Sequence, residues 1–96
     1  MKKRLVQAEG FEVVDDRGDV RLRMGVSAEG EPFMSLLDPG GRARARFAIG
    51  ADGSAGLAIG DEQGKVRATL GLSSDGSASL AFGDASGRIR AKFGLA

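Results

Sequence analysis

The sequence predicts an all-β protein, an antiparallel meander of about eight strands built from four hairpin repeats. The first observation is a set of glycines and a set of aspartates that each recur every 23 residues, at Gly18, Gly41, Gly64 and Gly87 and at Asp15, Asp38, Asp61 and Asp84. The second is strict alternation between these turns, as in Val66, Ala68, Leu70 and Leu72. Alternation with a period of two is typical of strands that bury one face.

The repeat predicts one domain over residues 1–96. Its units run approximately over residues 10–32, 33–55, 56–78 and 79–96, without insertion or deletion. Each unit contains two apolar-alternating segments and two glycine turns. A helix is disfavoured because a glycine falls every few residues, and each interior glycine costs about 1 kcal/mol.

The first turn of each unit has the pattern Asp-x-x-Gly, which predicts a four-residue loop ending on a glycine with positive φ. In the third unit, closing residues 61–64 as a loop pairs Ile59 with Val66 and Leu57 with Ala68. Apolar residues then face apolar residues on one side of the hairpin.

The second turn predicts a three-residue loop, residues 74–76 in the third unit. This loop pairs Leu72 with Ala78, Leu70 with Leu80, and Ala68 with Phe82. Because a slip of one residue would reverse the faces, agreement between both turns favours consecutive hairpins.

Two other architectures remain open at this stage. In a parallel solenoid with one unit per coil, equivalent arginines and aspartates would stack about 4.8 Å apart as like-charge ladders, which is unfavourable. A closed eight-stranded barrel would bury the same apolar face inside its own wall. We expect the open meander with its apolar faces packed in a homo-oligomer.

The predicted apolar face is too large to remain exposed on a soluble monomer. We therefore expect it to be the core of a dimer or trimer of this chain, the protein itself being the predicted partner. The residues expected in this core or interface are Phe11, Met24, Met34, Leu36, Phe47, Leu57, Ile59, Leu70, Leu80, Phe82 and Phe93.

The opposite face is expected to present Arg44, Arg67 and Arg90 beside alanines and glycines. One interpretation is that the arginine stems lie over small neighbours while the charged groups stay hydrated. The other is a candidate anion-binding row for phosphate, sulfate or a polysaccharide. We expect no aromatic residue on this face that could stack nucleic-acid bases.

Composition argues against catalysis and cofactors. The chain has no histidine and no cysteine, so the commonest general base and the thiol nucleophile are absent. The repeated aspartates begin turns, where this residue bonds its own backbone. We therefore expect no catalytic residue, no metal site and no cofactor.

The charge balance and the hydrophobic pattern limit the partners. The chain has 14 basic and 13 acidic residues, a net charge of +1, which predicts no general affinity for nucleic acid. No apolar run is long enough to span a membrane or to act as a signal peptide, so we expect no membrane insertion and a cytoplasmic location by default.

The pattern Asp-x-x-Gly-[Arg/Lys]-x-Arg-Ala, followed by Asp-Gly-Ser, resembles tandem 23-residue β-hairpin repeats of uncharacterised bacterial proteins. It matches best over residues 33–96, while the first unit has Asp19 and Glu29 where later units have a basic residue and an aspartate. The period also resembles MORN repeats, hairpin units used in protein and membrane contacts. The aromatic core of that family is missing, since the chain has no tyrosine or tryptophan. These resemblances imply a fold and no activity.

The sequence thus predicts a structural or assembly module: a self-associating β-repeat scaffold or fibre segment without catalytic activity. The alternative is a binding module. It would be either a small barrel for an apolar ligand or an arginine-lined surface for an anionic polymer.

Overall fold

The computed structural model describes residues 4–95 and shows eight β-strands in one antiparallel sheet, ordered as in the sequence. The strands are β1 (Gly10–Val14), β2 (Val20–Val26), β3 (Pro32–Leu37), β4 (Ala43–Ile49), β5 (Ala55–Gly60), β6 (Val66–Leu72), β7 (Ala78–Gly83) and β8 (Ile89–Leu95). The predicted all-β meander is confirmed.

Both alternative architectures are wrong. Within the described residues, β1 and β8 each pair on one side only, so the sheet is open and does not close into a barrel. Consecutive strands pair antiparallel throughout, whereas a solenoid would stack parallel coils.

All seven loops of the sheet have the same hydrogen bonds. In the third unit, the Asp61 N–H donates to the Lys65 carbonyl (2.8 Å) and the Gly64 N–H donates to the Asp61 carbonyl (3.0 Å). Gly64 has a φ of 86°, a conformation that glycine adopts without a steric penalty. Each loop therefore contains three residues. In the third unit these are residues 62–64, and the pair of Asp61 with Lys65 closes the loop.

The predicted register of the Asp-x-x-Gly hairpin is wrong by two residues. Ile59 lies opposite Ala68, and Leu57 lies opposite Leu70. One residue of the difference arises because Asp61 belongs to the closing pair and not to the loop. The second arises from a β-bulge, and the two shifts together preserve the apolar face.

The bulge lies in β6, where Val66 pairs with Gly60 and Ala68 pairs with Ile59, which leaves Arg67 as the extra residue. Without it, the three-residue loop would place Arg67 opposite Ile59 and reverse the faces. The other three hairpins of this kind shift register in the same way. Their extra residues are Arg21, Arg44 and Arg90.

The predicted register of the second hairpin is confirmed. Leu70 lies opposite Leu80, and Ala68 lies opposite Phe82. The equivalent hairpins, β2–β3 and β4–β5, also pair without a bulge. Bulged and regular hairpins therefore alternate along the sheet.

The chain is extended for its length. Its Cα radius of gyration is 15.8 Å, against about 12.5 Å for a compact domain of this size. Among residues 4–95, no apolar side chain is fully buried. The sheet has therefore formed its backbone hydrogen bonds without enclosing a core of its own.

Candidate functional site

The most distinctive surface of the protein is one apolar side of the sheet. Cross-strand pairing aligns one residue from each strand into a central row: Phe11, Met24, Met34, Phe47, Leu57, Leu70, Leu80 and Phe93. A second row beside it consists of Val13, Leu22, Leu36, Ala45, Ile59, Ala68, Phe82 and Ala91. We call these two rows the apolar face. Every residue predicted for the core or interface lies in one of them.

The side chains of the apolar face are substantially exposed to solvent. Phe47 is 50% exposed, Leu70 54% and Phe93 66%. Large apolar side chains contribute most to stability when they are fully removed from water, by about 1.5–3 kcal/mol each. Much of that stabilisation is not realised in the isolated chain.

The total accessible surface shows how much more area this chain exposes than a compact folded monomer does. The chain exposes 7455 Å², whereas a folded monomer of its mass is expected to expose about 5200 Å². The excess of roughly 2200 Å² per chain is more than one partner contributes to a standard protein interface, about 800 Å².

The hollows described on the apolar face are small. Two hollows of about 260 Å³ each lie on it, one beside Met24 and Phe47 and one between Leu57 and Leu70. Ligand sites are usually concave and range from about 300 to 1,000 Å³. A shallow, continuous surface of this kind fits a second flat surface better than a small molecule.

The opposite side of the sheet is polar near β1 and consists mainly of small residues from β5 to β7. Its central row is Glu12, Arg23, Ser35, Arg46, Ala58, Thr69, Ala81 and Lys92. The expectation that this side has no aromatic residue is wrong. Phe33 lies beside Met34 in β3 and faces the other way, and the Arg46 guanidinium lies 4.5 Å from its ring centre. This cation–π contact joins β3 to β4.

The extra residues of the four bulges, the bulge arginines, are Arg21, Arg44, Arg67 and Arg90. Three of them donate a hydrogen bond to the next repeat. Arg44 Nε donates to the Gly60 carbonyl and Arg67 Nε to the Gly83 carbonyl, both at 2.7 Å. Arg21 Nε donates to the Leu37 carbonyl at 3.0 Å. Each acceptor lies one residue beyond the last backbone pair between two strands, as Gly60 does beyond the pair of Ala45 with Ile59. The guanidinium of Arg44 therefore extends the contact between β4 and β5, beside the bulge that interrupts the ladder between β3 and β4.

These contacts occupy donors of the candidate anion-binding row of Arg44, Arg67 and Arg90. Two of the three already use Nε to bind a carbonyl, and Arg67 Nη1 also lies 3.6 Å from an oxygen of Asp61. Sequence reasoning missed this role. The available signal was the constant spacing of three residues between each turn glycine and the following arginine.

We predict that Arg67→Ala lowers the free energy of unfolding by about 1.5–3 kcal/mol, the usual value for a hydrogen bond to a charged group. The Gly83 carbonyl loses its partner, and the contact between the third and fourth units weakens. Arg23→Ala is the control, because Arg23 forms an exposed ion pair with Glu12 (2.8 Å), worth about 0–1 kcal/mol. Urea unfolding of both variants tests this; equal effects would refute the role of the bulge arginine.

The turn aspartates accept hydrogen bonds from the backbone of their own loops. Asp61 Oδ1 accepts hydrogen bonds from the N–H groups of Gln63 and Lys65, each at 3.0 Å. These bonds, that to Lys65 first, lower the pKa of the Asp61 carboxyl below its usual value. The Ser86 hydroxyl and the Arg88 N–H lower the pKa of Asp84 to about 2. The predicted role of these residues in bonding the local backbone is confirmed.

We predict acid destabilisation from these carboxylates. A pKa that is lower in the folded state stabilises the fold above the unfolded pKa of about 3.9, and this stabilisation is lost as pH falls towards about 2. The urea midpoint should therefore be steady from about pH 7 to 5 and should fall below about pH 4. Asp84→Asn, which keeps an Oδ1 acceptor, should flatten part of this fall. A midpoint independent of pH down to 2 would contradict the prediction.

Within residues 4–95, two other kinds of site are absent. No group of three or more acidic side chains is placed to hold a metal ion. In the same part of the chain, no helix has the length and apolar character needed to cross a membrane.

Comparison with protein-family models and with curated proteins finds no match to this sequence.

Proposed function

We propose that this protein is a structural assembly module that associates with further copies of itself through the apolar face, as a dimer or trimer. The observation that supports the proposal is the accessible surface, 7455 Å² for 96 residues with no buried apolar side chain among those described. Burying the excess surface between copies supplies the core that a single sheet lacks.

The composition of the apolar face favours a second sheet as the partner. Neither of its two rows contains a charged residue, so both rows can be buried without desolvating a charge. In the second row, Ala45 and Ala68 alternate with Ile59 and Phe82. Large and small side chains in alternation can interdigitate when two sheets pack about 10 Å apart.

The module is proposed to act without catalysis. The chain has no histidine or cysteine, and turn carboxylates such as Asp61 and Asp84 are engaged by loop amides. The polar side of the sheet and the seven loops then remain on the outside of the assembly. Such a module would serve as a scaffold, a fibre segment or an oligomerising platform.

Thermal unfolding at several protein concentrations tests the proposal. When folding and association are coupled, the midpoint temperature rises with protein concentration, because dilution favours the separated chains. We expect a rise over a hundredfold range of concentration. A midpoint that does not change with concentration would refute self-association as the source of stability.

A further inference from the structure

The bulge arginines connect each repeat to the next, and the last of them lies on a free edge. Arg21, Arg44 and Arg67 each donate from Nε to a carbonyl 16 residues later in the chain. Arg90 lies in the edge strand β8, and within the described residues it donates instead from Nη1 to Asp84, at 3.2 Å. The first-repeat equivalent of the acceptors Leu37, Gly60 and Gly83 is Val14, the last residue of the other edge strand, β1.

We propose that β8 of one copy pairs with β1 of a second copy, in the register that β6 and β7 have within one chain. Arg90 Nε then donates to the carbonyl of Val14 in the second copy. This inference rests on the proposed self-association and names the edges that join the copies. Because eight strands alternate in direction, β8 and β1 of copies related by rotation about an axis along the strands run antiparallel.

The register places complementary residues opposite each other. In β6 and β7, Leu70 lies opposite Leu80, Thr69 opposite Ala81 and Ala68 opposite Phe82. The equivalent residues of β8 lie one 23-residue repeat after those of β6, and the equivalent residues of β1 lie three repeats before those of β7. The same register therefore sets Phe93 opposite Phe11, Lys92 opposite Glu12, and Ala91 opposite Val13. The first pair continues the central apolar row with two aromatic rings, and the second brings together opposite charges; both kinds of cross-strand pair are stabilising.

The two edge strands are the most exposed strands of the sheet. Every residue of β1 and every residue of β8 is exposed. Basic residues on an edge can prevent strand pairing, and β8 contains Arg90 and Lys92. However, β4 contains Arg44 and Arg46 and still pairs with a strand on each side. Basic residues at these positions are therefore compatible with pairing.

A proline at position 92 tests the edge directly. The Ser73 N–H donates to the Ser77 carbonyl where β6 and β7 are joined. Hydrogen-bonded pairs recur at every second residue of an antiparallel ladder. The N–H of Thr69, four residues before Ser73, therefore also points towards β7. Lys92 is the equivalent of Thr69 in β8, and its N–H points away from the sheet. Proline is tolerated there in an isolated chain, but it cannot donate to a second copy.

We expect Lys92→Pro to retain the β-sheet spectrum by circular dichroism and to require at least about a tenfold higher concentration to associate. Lys92→Ala is the matched control, which keeps the N–H and should associate within about threefold of the parent chain. Equal association of both variants would overturn the edge proposal.

A disulfide test checks the register. The parent chain has no cysteine, and the pair of Val13 with Ala91 lies in a non-hydrogen-bonded position, where Cα atoms are about 4.5 Å apart. When V13C and A91C chains are mixed and oxidised, we expect mainly mixed dimers. Homotypic V13C dimers in equal or greater yield would contradict the head-to-tail arrangement.

These outcomes separate the two proposals. If the parent chain is a monomer, self-association itself fails. If it associates, while Lys92→Pro has no effect and no mixed disulfide forms, the edge pairing fails and association through the apolar face stands.

Discussion

Leu70→Asp should separate the assembly into unstable chains. Leu70 lies in the central apolar row, opposite Leu57 on one side and Leu80 on the other. In the proposed oligomer its side chain is buried between sheets, and a carboxylate there has no partner. We expect at least about 3 kcal/mol of destabilisation per chain, which corresponds to a dissociation constant raised by more than about a hundredfold.

Thr69→Asp is the matched control for this substitution. Thr69 is the neighbouring residue of β6 and faces the opposite side of the sheet, between Ala58 and Ala81. We expect it to change the free energy of unfolding by no more than about 1 kcal/mol and to leave the mass in solution unchanged. Sedimentation velocity of both variants measures the difference. Similar effects of the two aspartates would mean that the apolar face is not the interface.

Gly76→Ala should lower the free energy of unfolding by about 1–2 kcal/mol, through the backbone alone. Gly76 has a φ of 91° in the loop between β6 and β7, and a Cβ added there would meet no atom within 4 Å. The penalty therefore comes from the left-handed conformation and not from a clash. Urea unfolding at one fixed protein concentration measures it.

Gly71→Ala is the comparison for the loop glycine. Gly71 lies within β6, where an added Cβ would lie 3.6 Å from the Ala55 carbonyl oxygen, an ordinary contact. Glycine in a strand is less stable than alanine by about 0.5–1 kcal/mol. We expect this variant to be unchanged or slightly more stable. Equal losses at Gly76 and Gly71 would contradict the assignment of Gly76 to a position that requires glycine.

Much of the fold follows from the sequence because the period of 23 residues repeats the same local pattern four times. Alternation placed Leu57, Leu70 and Leu80 on one side, and the structure joins them in a single row. A strand has only two faces, so the alternation determines the face even when the register is off by two residues. The composition of the apolar face was predictable for the same reason.

The bulge and its consequences were not predictable from alternation. The Asp-x-x-Gly pattern is compatible with a four-residue loop without a bulge and with a three-residue loop followed by one. Both arrangements keep the apolar residues on one face. The loop hydrogen bonds of Asp61 and the ladder contact of Arg67 decide between them. Both depend on atoms of adjacent strands, which a one-dimensional pattern does not specify. Phe33 was missed because it interrupts a side of the sheet that is otherwise small or polar.

The molar mass of the protein in solution tests the central claim most directly, that the apolar face is buried between copies. Light scattering on a sizing column at several concentrations measures it independently of shape. We predict a discrete species of two or three times the chain mass of 9.9 kDa. A mass of 9.9 kDa at every concentration would contradict the claim and would mean that the chain remains stable with its apolar face in water.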